Sequence, residues 1–437
     1  LPKIQMNGKK ITNPLQNAPI YVTKIGSYQR EAYKLSIQGI RATMREDAFN
    51  ELEKFGFQQL QTPLEALNMV YPSPSLDNAI GNAKAFSGID FAGKRGLENI
   101  VNYVDESNGK NPRKYKYNYK PEIKEKYGNI FHQDHIGKYS AKISQICENI
   151  RQSHGIVLIY SQYIDGGAVP MALALEEMGF ARYSTSPHMT SLFESPPSEA
   201  IDARTMKPKE PDAKSFRPAK YMMITGDKSY SPKNAEDIKQ ITRKENARGE
   251  NIKAVIISKA GSEGLDFKGI RQVHILEPWY NMNRIEQIIG RAVRQNSHCY
   301  LPFEERNVEI YMYATQLEDN EEAADVYVYR LAMSKSKKMG RVTRLMKENS
   351  VDCLLNIGQT NFTEVKMMSI EENRNKELVL SSNKRKIQYN IGDKPFSPLC
   401  DYMENCDFKC SGNKVNENDV IETTYSNNYI QSNNQRI

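Results

Sequence analysis

Apolar and polar residues follow one another along this chain with two different periods, and the order of those periods predicts the fold. Between residues 138 and 150, apolar side chains recur at helical spacing, which predicts an amphipathic helix. Short, uninterrupted apolar runs are typical of strands buried on both faces of a parallel sheet. Strands are predicted at 156–160, 221–225, 254–258 and 273–276, with a further one from residue 307. Because predicted helices separate these strands, we predict an α/β fold with a doubly wound, mostly parallel sheet.

One further predicted helix, Asn283–Arg294, has two faces of different chemistry. Its apolar face is formed by Ile285, Ile288, Ile289 and Ala292. The opposite face carries Gln287, Arg291 and Arg294. A glycine inside a helix costs roughly 1 kcal/mol of stability relative to alanine. The presence of Gly290 is therefore easier to explain if another chain segment or a ligand approaches the helix closely at that point. Fixed guanidinium groups can stabilise the charge on a transferring phosphate, although a surface helix also carries arginines for solubility alone.

The bulk composition restricts the class of protein without identifying a function. The chain has 437 residues, enough for two or three domains, with 26% charged residues and a net charge of +7. No apolar run approaches the roughly 18–20 residues that a membrane span requires, so we expect a soluble intracellular protein without a membrane partner. We also expect reduced cysteines. The positive charge is compatible with nucleic acid but is not evidence for it.

Two adjacent motifs carry a resemblance to a known family. Residues 258–266 (SKAGSEGLD) follow a predicted strand with a hydroxyl residue and a glycine-rich turn. They resemble motif V of superfamily 2 helicases, and Q-x-x-G-R-x-x-R at 287–294 resembles motif VI. The segment LEPWYN before that helix resembles, more specifically, helicases of nucleocytoplasmic large DNA viruses, the group that contains the poxvirus early transcription factor small subunit. IYSQY (159–163) and ITG (224–226) resemble further motifs of that family.

The resemblance implies a RecA-like helicase C-terminal lobe and assigns roles to its motif residues. The expected catalytic residues are Arg291, Arg294 and Gln287, with the arginines as fingers on ATP. Expected contacts to ATP are Gly264 and Asp266. The expected contacts to a DNA backbone, without reading its sequence, are Ser161, Gln162, Thr225, Gly226, Ser258 and Ser262.

The same resemblance divides the chain into segments. Residues 1–19 are expected to be a linker or a remnant of a missing first motor lobe, and residues 20–137 an interlobe linker with helical and irregular insertions. The RecA-like lobe is expected at 138–320, with a surface insertion at 184–220. A basic helical extension is expected at 321–349, and a polar C-terminal tail with a disordered end at 350–437. Within the second segment, alternating tyrosines and lysines near 113–120 predict a hairpin strand.

One departure from the family matters for activity. The sequence contains no G-x-x-x-x-G-K-[ST] phosphate loop and no acidic box. We therefore expect ATP and Mg²⁺ to be bound mostly by a missing N-terminal RecA-like lobe, and no ATP hydrolysis by this chain alone. The expected role is the C-terminal motor half of a DNA helicase or translocase in viral transcription. RNA polymerase or a transcription factor subunit is an expected partner, and the virion and host cytoplasm are the expected location. The alternative is a non-enzymatic module that docks nucleic acid or polymerase.

Four cysteines near the C-terminus suggest a second chemistry. Cys400, Cys406 and Cys410 are spaced C-x5-C-x3-C, and Cys353 precedes them. Four thiolates can hold Zn²⁺, although this spacing is looser than the usual zinc-binding pair. A zinc site and ordinary core cysteines both remain open on this pattern.

Overall fold

This computed structural model describes residues 2–12, 15, 19–43, 57–82, 87–105, 115–187, 189–210, 215–259, 266–318, 320–370, 376–381 and 383–411. The chain divides into two units. The first comprises Leu1–Met333 with Ser381–Lys384, and the second comprises Ser334–Leu380 with Arg385–Ile437. The division between the two units thus lies inside a long helix, Ala324–Glu348, whose end is close to residue 349, where the sequence analysis placed it.

Nine strands are described in the first unit. They are β1 (Ile20–Lys24), β2 (Val101–Asp105), β3 (Tyr115–Tyr119), β4 (Ile156–Tyr160), β5 (Ala181–Arg182), β6 (Lys220–Ile224), β7 (Ala254–Ile257), β8 (Ile270–Ile275) and β9 (Glu309–Gln316). Seven of them form one sheet in the order β1-β9-β8-β4-β7-β6-β5, and all neighbours are parallel. Helices connect β4 to β5, β6 to β7 and β8 to β9, so the predicted α/β RecA-like fold is confirmed.

The helices of the first unit surround this sheet and its N-terminal extension. They are α1 (Ser27–Thr43), α2 (Phe57–Asn68), α3 (Pro74–Asn82), α4 (Gly93–Ile100), α5 (Pro121–Tyr127), α6 (Gln133–Tyr139), α7 (Ala141–Arg151), α8 (Val169–Glu177), α9 (Asn234–Ile241), α10 (Met282–Ala292) and the first part of α11 (Ala324–Glu348). The helix predicted at 138–150 is interrupted at Ser140, whose hydroxyl accepts a hydrogen bond from the amide of Ile143 and so caps α7.

Burial follows the hydrophobic pattern closely at the centre of the sheet. Every residue of β4, β7 and β8 is buried, as expected for strands with neighbours on both sides and helices above and below. The apolar stripe of α7 is buried as well, and it consists of Ile143, Ile146, Cys147 and Ile150. The predicted strand near 113–120 is β3, which pairs antiparallel with β2.

The segment at 184–220, which we expected to be a surface insertion, contributes to the core. Leu192 and Phe193 are buried. Their amides donate to the two carboxylate oxygens of Glu176 at 2.6 and 2.8 Å. The same carboxylate accepts a hydrogen bond from the hydroxyl of Tyr221 at 2.6 Å. An acidic side chain on α8 therefore anchors the start of this segment against the sheet.

The second unit contains the rest of α11 together with α12 (Cys353–Thr360), α13 (Glu364–Ser369) and the antiparallel pair β10 (Lys376–Val379) and β11 (Lys386–Tyr389). The expected zinc site is wrong here. Cys353 pairs with Cys410, and Cys400 with Cys406, in two disulfides. Disulfide sulfur is not the thiolate that binds zinc, and no group of three or more candidate metal ligands exists among the described residues. The expectation of reduced cysteines fails for these four.

No described helix combines the length and the apolar character that a membrane span needs.

Candidate nucleotide and nucleic-acid site

The candidate site lies along the edge of the sheet at which the parallel strands end. The last residues of β4, β7 and β6 are in register, so the residues that follow them form a row. This row consists of Ser161, Ser258 and Thr225. Ligands bind at this edge in open α/β sheets, because the loops that leave the strands separate there. The structure therefore brings together three of the residues expected to contact nucleic acid.

The side chains in this row point into the protein. Ser161 is 1% exposed, Ser258 is 3% exposed and Thr225 is 1% exposed. The hydroxyl of Thr225 lies 2.9 Å from that of Ser231 and donates to the carbonyl of Asp227 at 3.0 Å. The hydroxyl thus shapes the turn that follows β6. In this conformation the row presents backbone groups and neighbouring residues, and not its own hydroxyls, to the solvent.

Two predicted residues beside the row are more accessible. Gly226 is exposed, and Gln162 is half-buried. The amide nitrogen of the Gln162 side chain donates to the carbonyl of Pro278 at 3.4 Å. Its buried oxygen Oε1 has no hydrogen-bond partner among the described residues. A buried amide oxygen without a donor is costly, so Gln162 gains from any ligand group that donates to it.

A buried carboxylate organises the end of β4. Glu277 is fully buried and accepts hydrogen bonds from the hydroxyl of Ser161, at 3.0 and 3.1 Å to its two oxygens, and from the amide of Gln162. The side-chain amide of Asn68 donates to it at 2.8 Å. Burial raises the pKa of Glu277 to about 7, although these hydrogen bonds and Lys142 oppose the shift. Glu277 therefore fixes the backbone where the strand leaves the sheet.

Next to this carboxylate lies an ion pair without solvent contact. Lys142 and Asp325 are both fully buried, with 2.7 Å between the ammonium nitrogen and a carboxylate oxygen. Asp325 also accepts hydrogen bonds from the hydroxyl of Thr315 at 2.7 Å and from the amide of Val326 at 2.8 Å. Lys142 lies 3.4 Å from the side-chain oxygen of Asn68. The pair and the carboxylate thus form one polar network that crosses α2, α7 and the sheet.

Helix α10 has the two predicted faces in part: it ends at Ala292, so Arg294 lies beyond it, and Ile289 is only half-buried. Ile285, Ile288 and Ala292 are buried, whereas Gln287 is exposed and Arg291 is half-buried. Among the described residues, no atom lies within 4 Å of the position that a Cβ on Gly290 would occupy. The space beside Gly290 is therefore open with respect to the described residues of this chain.

Arg294 lies just after α10 and connects the two motifs. Its guanidinium donates to the carboxylate of Asp266 at 3.0 Å, and both side chains are about half exposed, at 50% and 58%. Gly264 and Ser262 lie outside the described residues. Asp266, which was expected to contact the nucleotide, and Arg294, an expected arginine finger, are therefore in direct contact at the surface.

The segment between β8 and α10 contains the chain's single tryptophan. The guanidinium of Arg284 lies 4.1 Å from the centre of the Trp279 ring, and the ammonium of Lys259 lies 5.4 Å from it. Stacking of this kind holds both cations near the end of β7. It joins the strand edge to the start of α10.

The motif analysis assigned no role to Glu277, although this residue lies within the LEPWYN segment, and it did not single out Asn68, Lys142 or Asp325. A buried carboxylate at a strand end needs partners, but its position in the sequence does not show which residues they are. Asn68, Lys142 and Asp325 come from three different helices, and only the fold brings them to the site.

Comparison with known proteins places this site in a family context. Residues 206–296 match the model of the helicase conserved C-terminal domain. A termination factor NPH-I homolog of African swine fever virus is 30% identical over 237 residues, which is 50% of this chain and 33% of that protein. A protein of Acanthamoeba polyphaga mimivirus described as an ATP-dependent RNA helicase is 24% identical over 314 residues, 66% of this chain and 25% of that protein. The chain thus spans about a quarter to a third of these relatives.

A structural likeness is weaker. The C-terminal part of the Fun30 ATPase domain is 14% identical, with a TM-score of 0.38, and covers 73% of this chain and 89% of that one. Nothing about function follows from a likeness at that level. The sequence matches do confirm the resemblance to the C-terminal region of superfamily 2 helicases of large DNA viruses.

Proposed function

We propose that this chain, which resembles the C-terminal region of superfamily 2 helicases, is the second motor lobe of an ATP-driven translocase that moves along DNA. The observation that carries the proposal is the contact between Arg294 and Asp266, because it brings the end of the motif VI helix to the end of the glycine-rich turn. Guanidinium groups at such a place can stabilise the charge that develops on a transferring phosphate. Arg291, in the last turn of α10, is the second proposed finger.

The residues of this chain fit a nucleotide only in part. Arg291 and Arg294 offer fork-shaped donors to phosphate oxygens, and Gln287 is exposed near them. The acidic group described at this place, Asp266, is already paired with Arg294. No phosphate loop occurs in the sequence. We therefore assign Mg²⁺ and most contacts to ATP to a partner lobe, and to this chain the stabilisation of phosphate charge.

The row at the ends of β4, β7 and β6 is the proposed track for one DNA strand. Gln162 and Gly226, which lie beside the row, would contact the sugar-phosphate backbone directly, since they are more accessible than its members. Ser161, Thr225 and Ser258 would act through their backbone and by holding the strand ends in place. Such contacts position a strand without reading its sequence. Gly264 and Ser262 keep the roles that the family resemblance gives them.

We place this activity in viral transcription in the cytoplasm of the infected cell or in the virion. Support comes from the relative in African swine fever virus, which is named a termination factor homolog. RNA polymerase or a transcription factor subunit is the proposed protein partner. The mimivirus relative is described as an RNA helicase, so an RNA track is the competing assignment.

The test is ATP turnover in a protein that carries both lobes, with and without single-stranded DNA or RNA. Arg291→Ala is expected to lower turnover by on the order of a thousandfold, with binding of a fluorescent ATP analogue retained. Arg248→Ala is the matched control, because Arg248 is an exposed arginine of the same lobe that pairs with Glu305. Unchanged turnover in Arg291→Ala would refute the finger assignment. A wild type that binds DNA but never hydrolyses ATP would instead establish a docking module.

A further inference from the structure

The part of α11 in the second unit exposes a row of large apolar side chains. Met339, Val342 and Leu345 are each 58% exposed, and Met346 is 69% exposed. Residues that are three, four or seven apart lie on one face of a helix, so these four form one stripe about two turns long. Single exposed apolar residues are ordinary on protein surfaces, but a contiguous stripe on one helix marks an interaction surface.

The opposite face of the same helix is fixed, so α11 cannot turn to bury the stripe. Gly340 lies so close to the carbonyl of Asp401 that no side chain would fit there. Arg344 donates to the Asp401 carboxylate at 2.8 Å and to the carbonyls of Cys400, Asn405 and Asp407 at 3.1–3.3 Å. This guanidinium holds one side of the helix against the disulfide-bonded loop, and the apolar stripe faces away from it.

The exposed charge beside the stripe is mainly basic. Between Ser334 and Met346 the helix has no acidic residue, and of its basic residues Arg344 is paired with Asp401. Lys335, Lys338 and Arg341 are exposed. Each precedes an apolar member of the stripe by four residues, which places it on the same side of the helix. An apolar centre flanked by basic side chains is thus the chemistry that this surface offers.

We propose that this stripe, Met339, Val342, Leu345 and Met346, is the docking surface for an acidic amphipathic helix of a partner protein. A helix is the partner that fits, because its own apolar residues recur with the period of the stripe. Acidic flanks match the lysines and the arginine and would steer the encounter. A nucleic-acid backbone would satisfy the basic residues but would leave four apolar side chains in water, so protein is favoured.

The test uses this chain and two fluorescein-labelled helical peptides of about eighteen residues, long enough to cover the stripe at 1.5 Å per residue. Both peptides carry the same leucines at helical spacing, and the flanking residues are glutamates in one and lysines in the other. Fluorescence anisotropy is expected to give a micromolar Kd for the acidic peptide and binding at least about tenfold weaker for the basic one.

Two variants test the residues. The double variant Met339→Ser/Met346→Ser is expected to weaken the acidic peptide by about tenfold or more. Lys338→Glu/Arg341→Glu is expected to transfer the preference to the basic peptide, which a loss of folding could not produce. Val365→Ser is the matched control, since Val365 is 77% exposed in the same unit but lies outside the stripe. Circular dichroism verifies that all variants stay helical.

Four results would overturn the proposal. Equal affinity for the two peptides would show that the basic residues do not select the partner. No detectable binding of either peptide would show that the stripe is not a docking surface for an amphipathic helix. Competition by single-stranded DNA that is lost in the double serine variant would make the stripe a nucleic-acid contact. A dimer in sedimentation that dissociates in the same variant would show that a second copy of this chain covers it.

Discussion

Lys142→Met is expected to destabilise the first unit strongly. The substitution removes the cation of a pair in which both side chains are fully buried and 2.7 Å apart. The aspartate partner, Asp325, keeps two hydrogen bonds, one from Thr315 and one from a backbone amide. Its negative charge is then fully buried and has no ion-pair partner among the described residues. Breaking a buried pair in this way costs about 3–5 kcal/mol, which is a large part of the stability of a typical domain.

The double variant Lys142→Met/Asp325→Leu separates this explanation from simple damage to packing. With both charges gone, no buried charge is left unpaired, and replacing a buried pair by apolar groups is often close to neutral. The hydroxyl of Thr315 loses an acceptor, which costs about 1–3 kcal/mol. The double variant is therefore expected to be no less stable than Lys142→Met, although it carries two core changes.

The assay is urea unfolding followed by the fluorescence of Trp279, the only tryptophan in the chain, which lies in the first unit. Its signal reports this unit without interference from the second one. Arg248→Ala is the control, because its exposed pair with Glu305 is worth only about 0–1 kcal/mol. The reasoning is wrong if Lys142→Met costs no more than this control, or if the double variant is clearly less stable than Lys142→Met.

Two further predictions concern pH and redox state. Burial raises the pKa of Glu277 from 4.5 to about 7, so its contribution to stability is full below about pH 4.5 and is lost as the pH rises through 7. The free energy of unfolding of the wild type, minus that of Glu277→Gln, should therefore fall over that range. Taking this difference removes the contribution of His274, whose lowered pKa acts in the opposite direction in both proteins. Reduction of Cys353–Cys410, which are separated by 57 residues, should cost the second unit about 4 kcal/mol, measured by hydrogen exchange, and leave Trp279 fluorescence unchanged.

The sheet could be predicted because two of its central strands, β4 and β7, are uninterrupted apolar runs. Such a pattern is local, and it needs no knowledge of which strands become neighbours. The position of β4 was not predictable in the same way, since it lies between β7 and β8, which are both distant from it in sequence. The packing of Leu192 and Phe193 could not be predicted for a related reason. Their backbone amides donate to the carboxylate of Glu176, and such a contact produces no periodic pattern of apolar residues in the sequence.

The candidate site was predictable where a motif is continuous in sequence. Arg294 and Asp266 were both expected near a nucleotide, and they are in contact. The burial of Ser161 was not expected, because its role depends on Glu277, which is 116 residues away in sequence. The disulfides were missed because a spacing of cysteines cannot distinguish thiolate ligands from bonded pairs.

The polar network gives a physical reason why the N-terminal extension and the sheet act as one body. Asn68, at the end of α2, donates to Glu277 and lies beside Lys142. A displacement of α2 would remove a donor from a buried carboxylate and an acceptor from a buried ammonium at the same time. Both losses are expensive in a medium without water, so α2 is held in one position relative to the strand ends. Any movement of the proposed track must therefore be shared by this helix.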